Sequence, residues 1–436
     1  MNEYKKLAVN EKGHLVLGGC DAVELAKKFG TPLYVMEEQV IRDVCQGYMK
    51  TLKESSLKGI ILFASKAFMT TAMCKIIQSE GLGLDVVSGG ELYTALQAGF
   101  PTDKIYMHGN NKTNAELKMA IDAKIGRIVL DSFEEIDIVN ELAGQRGRKV
   151  PVSVRVKPGV EAHTHEYIKT GNMDSKFGFG IIDGEAIKAI EKILACENLT
   201  LVGLHCHIGS QIFELQAFQD AVDIMTDFAR EIDDKMQYRI GEINFGGGYG
   251  IHYVKGDAPL PPSEYVKTII AEMEKNIQKK GLWKMEIAME PGRSIVGEAG
   301  TTLYEVGTIK EVPGIRKYVS VDGGMTDNIR PALYQAEYSA VVANKMDKPE
   351  EDLVSIAGSR CESGDMLIRD ITLPTMERGD ILAVLSTGAY GFSMASNYNK
   401  VPLGAVVLVK DGNAQLMVKR QTYDQLIEND VIPDWL

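Results

Sequence analysis

Between residues 60 and 300, apolar and polar positions follow one repeated unit. A short apolar, β-branched run is followed by a polar or glycine-bearing tip, then by a longer stretch with apolar residues three and four apart. The short runs are IILFAS from 60, LGLDVVS from 82, KIYMHG from 104, RIVLDS from 127, PVSVRV from 151, LVGLHCHIG from 201, EINFGGG from 242 and EIAMEPG from 286. Continuous apolar runs alternating with helical spacing predict parallel strands covered by helices. Stretches such as KAFMTTAMCKIIQSEG and FEEIDIVNELAGQRG carry that spacing and end in glycine, so each predicts a helix with its stop signal. Eight units in about 240 residues match the size of a (β/α)8 TIM barrel. A doubly wound open sheet is the rival that periodicity alone leaves standing.

After about residue 300 the pattern changes. TTLYEVGTIKEV, RKYVSVDGG, EDLVSIAG, DILAVLSTG and the pair AVVLVKDGNAQLMVK predict strands joined by turns, with KDGN as a hairpin signal. The opening residues hold one predicted helix, DAVELAKKFG, and one predicted strand, PLYVM. The expectation is an α/β protein in three parts: an N-terminal segment 1–36 that packs with the β domain, a barrel over 37–300, and a β-rich, barrel-like or sandwich-like domain over 301–436.

Composition narrows the function. A formal net charge of -12 and a pI near 5.3 argue against nucleic acid or an anionic membrane as partner, since both are bound through basic surface. No apolar stretch approaches the length of a membrane span, and MNEYKKLAVNEKGHL lacks the apolar core of a secretory signal, so a cytoplasmic protein is expected. Six cysteines without a CxxC pair are too sparse for a disulfide framework and are expected to be reduced. Small polar metabolites remain as ligands.

In a barrel the reactive face lies where the strands end. Those ends carry Lys66, Asp85, His108, Asp131, Arg155 with Lys157, His205 with His207, Gly246, Gly247 and Gly248, and Glu290 with Arg293. Each has an ordinary reading. A strand-end lysine is commonly an ion-pair partner, and glycines after a strand commonly make a tight turn. Two histidines two apart point to the same side of a strand, but a metal site needs more ligands. Neither HExxH nor CxxC accompanies them, so no metal is expected. NFGGGYG lacks the spacing of a dinucleotide fingerprint, yet its backbone amides can approach an anion closely, with Ser210 as a further donor. In EPGR a carboxylate, Glu290, and a guanidinium, Arg293, flank a Pro-Gly turn. They make either a salt-bridged bend or a partner for a pyridine nitrogen beside an anion clamp.

Taken together, an amine nucleophile, an anion cradle, a flat imidazole and an acid form the set that pyridoxal phosphate requires. Apolar strand walls around Lys66 would favour its neutral, nucleophilic form. The ordered motifs FASKA, DVVSGGEL, HGNNKT, SKFG, HCHIGSQ, GGGYG, EPGR, DGGMTDNIRPALY, CESGD and GAYGFSMASNYN run through nearly the whole chain. With them the sequence resembles the diaminopimelate decarboxylase family, within the alanine racemase and ornithine decarboxylase group of fold type III pyridoxal-phosphate enzymes.

The resemblance implies a pyridoxal 5'-phosphate carboxy-lyase. Such an enzyme converts meso-2,6-diaminopimelate to L-lysine and carbon dioxide, the last step of lysine biosynthesis. It also implies roles. Lys66 would carry the cofactor as a Schiff base, His207 would stack on its ring and Glu290 would face the pyridine nitrogen. Asp85, Ser210, Gly246, Gly247, Gly248, Gly292, Arg293 and Tyr390 would complete the cofactor site. Arg293, Arg330, Tyr334, Glu362 and Tyr390 would hold substrate, with Arg330 and Tyr334 on the distal carboxylate and Glu362 on the distal ammonium. Cys361 would return a proton to the alpha carbon, with Lys66 as its competitor. CESGD would reach across the interface of a homodimer with shared sites. A decarboxylase of another basic amino acid, a racemase of the same fold, and a non-catalytic pyridoxal-phosphate-binding relative remain as alternatives.

Overall fold

The structure is a computed structural model that describes residues 7–159 and 175–436. The chain divides into two compact units. One comprises Arg42–Ile251 and Ala258–Ile295, and the other Met1–Ile41, His252–Asp257 and Val296–Leu436.

The first unit is the barrel. Strands Gly59–Ala64, Gly83–Val86, Ile105–Met107, Arg127–Leu130, Val150–Lys157, Leu199–His205, Glu242–Asn244 and Glu286–Met289 pair in parallel in chain order. The last then pairs with the first through Ile287 with Gly59, Ala288 with Ile60 and Met289 with Ile61. That closure removes both edges and rules out the open-sheet rival. A two-residue strand, Phe179–Gly180, adds to the outer end of Val150–Lys157.

The helices between strands start where the sequence supplies a side-chain oxygen. Thr70, Ser88, Thr113 and Ser132 accept from the backbone N–H of Met73, Glu91, Glu116 and Glu135, and Glu116 completes a capping box with Thr113. Each cap is worth about 1 kcal/mol and fixes where a strand-to-helix loop ends. At the N-terminal end of the barrel, Tyr106 donates to Glu242 Oε2 at 2.7 Å, with Arg127 3.7 Å from the same oxygen. Glu242 and Arg127 each begin a strand, so this buried polar cluster lies at the end opposite the strand tips.

The second unit is a β sheet organised on one long strand, Gly300–Val312. It runs antiparallel to Leu33–Glu37, to Ile381–Val384 and to Arg316–Val321. Leu33–Glu37 lies parallel to Ala405–Lys410, which turns through Asp411 and Gly412, both with positive φ, into Asn413–Val418. The PLYVM strand is therefore held between two strands from the far end of the chain. Its core includes Leu15, Leu17, Leu25, Leu33, Val35, Leu303, Ala383 and Val407, all buried. Among the described residues no helix is long and apolar enough to cross a membrane, and all six cysteines are free thiols.

Candidate active site

The C-terminal strand ends of the barrel bring together Asp85, His108, Arg155, His205 and Glu290, each buried. Lys66 follows the first strand on a single 3-10 turn, Ser65–Ala67. Its side chain is exposed, while Ser65 and Ala67 are buried. The expectation of apolar walls around this lysine is corrected here. The strand ends at Ala64, and the turn carries the side chain past the apolar run onto the rim. Its charge acts on Asp85, Glu91 and His207.

Glu290 is the centre of a buried network. Asn244 Nδ2 donates to its Oε1 at 2.6 Å, His108 Nε2 lies 2.7 Å from the same oxygen, and His205 Nε2 lies 3.1 Å from Oε2. Burial would raise the pKa of Glu290, but His108 and His205 hold it well below the usual carboxylate range. Burial would lower His108, yet Glu290 and Asp85 carry it above its ordinary value. His205 goes the other way: burial pushes it down to about 4. An ionised carboxylate only accepts, so neutral His205 carries its proton on Nε2. Asp85 Oδ1, 3.8 Å from His108 Nε2, has no hydrogen-bond partner among the described residues, and burial pushes this carboxyl up to about 6. One ligand atom each from His108, His205 and Glu290 lie within 4.8 Å of one another, a spacing that could chelate a cation.

Next to it the glycine loop leaves its strand in close contact with the neighbouring backbone. A Cβ on Gly246, at φ +65°, would sit 2.6 Å from Cys206 O; on Gly247, 2.2 Å from Glu290 O; on Gly248, at φ +101°, 2.3 Å from Gly209 O. No side chain fits at any of the three, so the loop stays open to a close approach. Gly246 N–H donates to Asn244 Oδ1 at 2.9 Å, and Glu290 N–H donates to Gly246 O at 2.7 Å. The loop and the carboxylate are thus one rigid piece. Arg293 Nη2 donates to Ser210 Oγ at 2.8 Å. A Cβ on Gly292 would meet Ala64 Cβ at 2.9 Å. His207 lies beside the loop with its Nδ1 3.4 Å from Gly247 N. Burial, with the charges of Lys66 and Arg155, keeps its imidazole neutral.

The remaining expected residues belong to the β unit. Arg330, buried at the start of the short helix Arg330–Tyr334, lies 5.2 Å from the ring centre of Tyr253, 5.7 Å from Tyr338 and 5.9 Å from Tyr390. It also donates to the Tyr338 hydroxyl. Burial would lower the pKa of this guanidinium, but the tyrosines around it carry it higher. Tyr390 has φ +63°, a backbone conformation costly for a tyrosine. Tyr334 is half-buried at the end of the helix. Cys361 and Glu362 are exposed on the loop between strands Asp352–Ala357 and Met366–Leu373, where Glu362 accepts from the Tyr398 hydroxyl.

Sequence reasoning placed His108 and His205 on the rim without a task and passed over Asn244, Tyr253 and Tyr338. Only for Asn244 was there a local signal: a polar side chain at the end of an apolar run, two residues before three glycines.

A closed parallel barrel whose rim carries an amine, a side-chain-free glycine loop, a neutral imidazole and a buried ionised glutamate defines a pyridoxal-phosphate barrel enzyme. The fit is in the donor set: the cradle admits no side chain, and the buried carboxylate can partner a protonated ring nitrogen. Residues 39–297 match the family described as pyridoxal-dependent decarboxylase, pyridoxal binding domain, and pyridoxal 5'-phosphate is the cofactor. The chain is 52% identical to the diaminopimelate decarboxylase of Bacillus methanolicus, covering 95% of this chain and 96% of that one. Against the Bacillus subtilis enzyme it is 51% identical over 97% and 96%. The crystal structure of the M. jannaschii diaminopimelate decarboxylase with L-lysine superposes with a TM-score of 0.93, at 38% identity, over 100% of both chains. The chain belongs to the diaminopimelate decarboxylase family.

Proposed function

We propose that this protein decarboxylates meso-diaminopimelate to L-lysine and carbon dioxide, the closing step of lysine biosynthesis. Identity of about half over nearly the full length of curated family members carries the reading. When bound, pyridoxal phosphate supplies the sink for the electron pair left at the alpha carbon as carbon dioxide departs. The chain does the rest.

Lys66 Nζ would hold the cofactor covalently. Gly246, Gly247 and Gly248, the Ser210 hydroxyl, Gly292, Arg293 and Tyr390 would hold its phosphate. Neutral His207 would pack on its ring, Asp85 would stand beside Lys66, and Glu290 would partner its ring nitrogen. Arg293, Arg330, Tyr334, Tyr390 and Glu362 hold substrate. A guanidinium ringed by tyrosines suits a distal carboxylate, because a substrate lacking that group would leave the charge unpaired. The Cys361 thiol or the freed Lys66 amine returns a proton to the alpha carbon. In this division residues 37–300 supply most cofactor contacts and Arg293 to the substrate, 301–436 supply the other substrate groups and Tyr390, and 1–36 belongs with the latter.

The direct test follows carbon dioxide and chiral product from meso-diaminopimelate, with ornithine, arginine and lysine in parallel. L-lysine from the first alone is expected. Turnover of ornithine or arginine instead would move the function to a sister decarboxylase, and cofactor binding without turnover of any would move it to a binding protein.

The protein acts as a homodimer in the cytoplasm, with Cys361 and Glu362 serving the barrel of the partner copy. Their exposure on a loop supports this, and six free thiols suit a reducing compartment. Mixed and re-equilibrated Lys66→Ala and Cys361→Ala chains are expected to regain about a quarter of wild-type activity through the one intact site of each hybrid. Subunit exchange without any regain would sink the shared site.

A further inference from the structure

Glu290 receives more hydrogen bonds than its burial requires. A carboxylate offers about four lone-pair sites. Asn244 Nδ2 takes one on Oε1, where His108 Nε2 also stands 2.7 Å away as an ion-pair contact, and His205 Nε2 takes one of the two on Oε2. One remains.

We propose that His108, His205 and Asn244 are positioning residues that draw basicity out of Glu290, leaving one lone pair for the cofactor's ring nitrogen and keeping the proton they share on nitrogen. The inference rests on the reading of Glu290 as the ring-nitrogen partner. A proton between a carboxylate and a pyridine resides on whichever group has the higher affinity for it. In a dry site an unassisted carboxylate would compete strongly, because burial favours its neutral form. Each donor on the ionised form weakens that competition. Two hydrogen-bond donors, Asn244 and His205, and the close contact of His108, whose Nε2 lies 2.7 Å from Glu290 and 3.8 Å from Asp85, decide it for nitrogen.

The geometry fixes these donors. The His108 and His205 rings stand edge to face at 4.6 Å, so neither can rotate without moving the other. Asn244 cannot flip its amide usefully, because its Oδ1 already accepts from Gly246 N–H. The asparagine also ties the acid to the phosphate cradle, so the two ends of the cofactor site move as one. An electron sink works only while its ring nitrogen is protonated, and these three side chains thereby set the rate without touching substrate.

The test uses the holoenzyme loaded with pyridoxal phosphate labelled with nitrogen-15 in the ring, whose NMR shift reports protonation of that atom. His108→Leu, His205→Leu and Asn244→Ala are each expected to move the resonance from the protonated toward the unprotonated position at saturating cofactor. The same variants are expected to lower kcat by about 10- to 100-fold. KM should stay within about twofold, since substrate contacts are untouched. His108→Gln and His205→Gln, which keep a donor, should restore part of both. Asn244→Ala spares both imidazoles and carries the test should a leucine variant fail to fold. A purely packing role would lower thermal stability and leave the resonance in place. The proposal is overturned if the resonance stays put in every folded variant while Glu290→Gln moves it. A resonance that Glu290→Gln itself leaves unmoved would overturn the underlying reading of Glu290, and the proposal with it.

Discussion

Lys66→Ala protein is expected to form lysine from meso-diaminopimelate at least about a thousandfold more slowly than wild type. It should also lose its cofactor, with its visible absorption, on gel filtration. Two functions leave together. In the proposed mechanism the amine would anchor pyridoxal phosphate and would be one of two groups able to carry the proton back. Because Lys66 stands exposed on a 3-10 turn between buried Ser65 and Ala67, its removal leaves no cavity in the core. Thermal unfolding of the apo form should therefore match that of wild-type apoprotein. Turnover within tenfold of wild type would remove Lys66 from the chemistry, and a lowered apo melting temperature would give it a structural task instead.

Gly247→Ala is expected to damage both the fold and the cofactor site. The added Cβ would lie 2.2 Å from Glu290 O, and that oxygen belongs to the backbone of the acid itself. Relief has to shift either the glycine loop or Glu290. We expect a loss of about 3 kcal/mol of stability from overpacking, together with cofactor affinity reduced by about two orders of magnitude as the amides are displaced. Gly47, within the helix Glu38–Glu54 and with open space around its Cβ position, is the control. Gly47→Ala should hold or raise the melting temperature by relieving helix entropy. Titration of apoprotein with pyridoxal phosphate and a thermal melt separate the two effects. Unchanged affinity in folded Gly247→Ala would mean that the loop is a turn and nothing more.

The barrel was legible because its eight strands are largely buried, apolar-rich runs, each followed by a helix, four of them with side-chain caps. What periodicity could not supply was closure, since the pairing of Glu286–Met289 with Gly59–Ala64 joins segments more than 200 residues apart. In the β unit five strands escaped notice for local reasons. Ala8–Val9, Leu15–Leu17, Cys20–Asp21 and Ala340–Val342 are too short to show alternation. In Met366–Leu373 the pattern breaks at Asp370, whose positive φ coincides with a slip in the pairing against Asp352–Ala357. The rim polar residues were legible as unusual, but their tasks were not. His108, His205 and Asn244 come from three different strands, and only the folded barrel shows that all three face one carboxylate. The surroundings of Lys66 were misjudged for the opposite reason. An apolar run describes the strand, not the turn that follows it.

The strand Leu33–Glu37 has a consequence for how the protein is made. It hydrogen-bonds on one side to Gly300–Val312 and on the other to Ala405–Lys410, so the first strand of that sheet emerges from the ribosome long before either neighbour exists. The barrel, complete by residue 295, can close while the opening segment waits with its apolar positions unsatisfied. Only when the final hairpin is released can the sheet be finished. A nascent chain stalled anywhere short of residue 405 therefore carries an uncovered strand, a natural handle for chaperones and proteases.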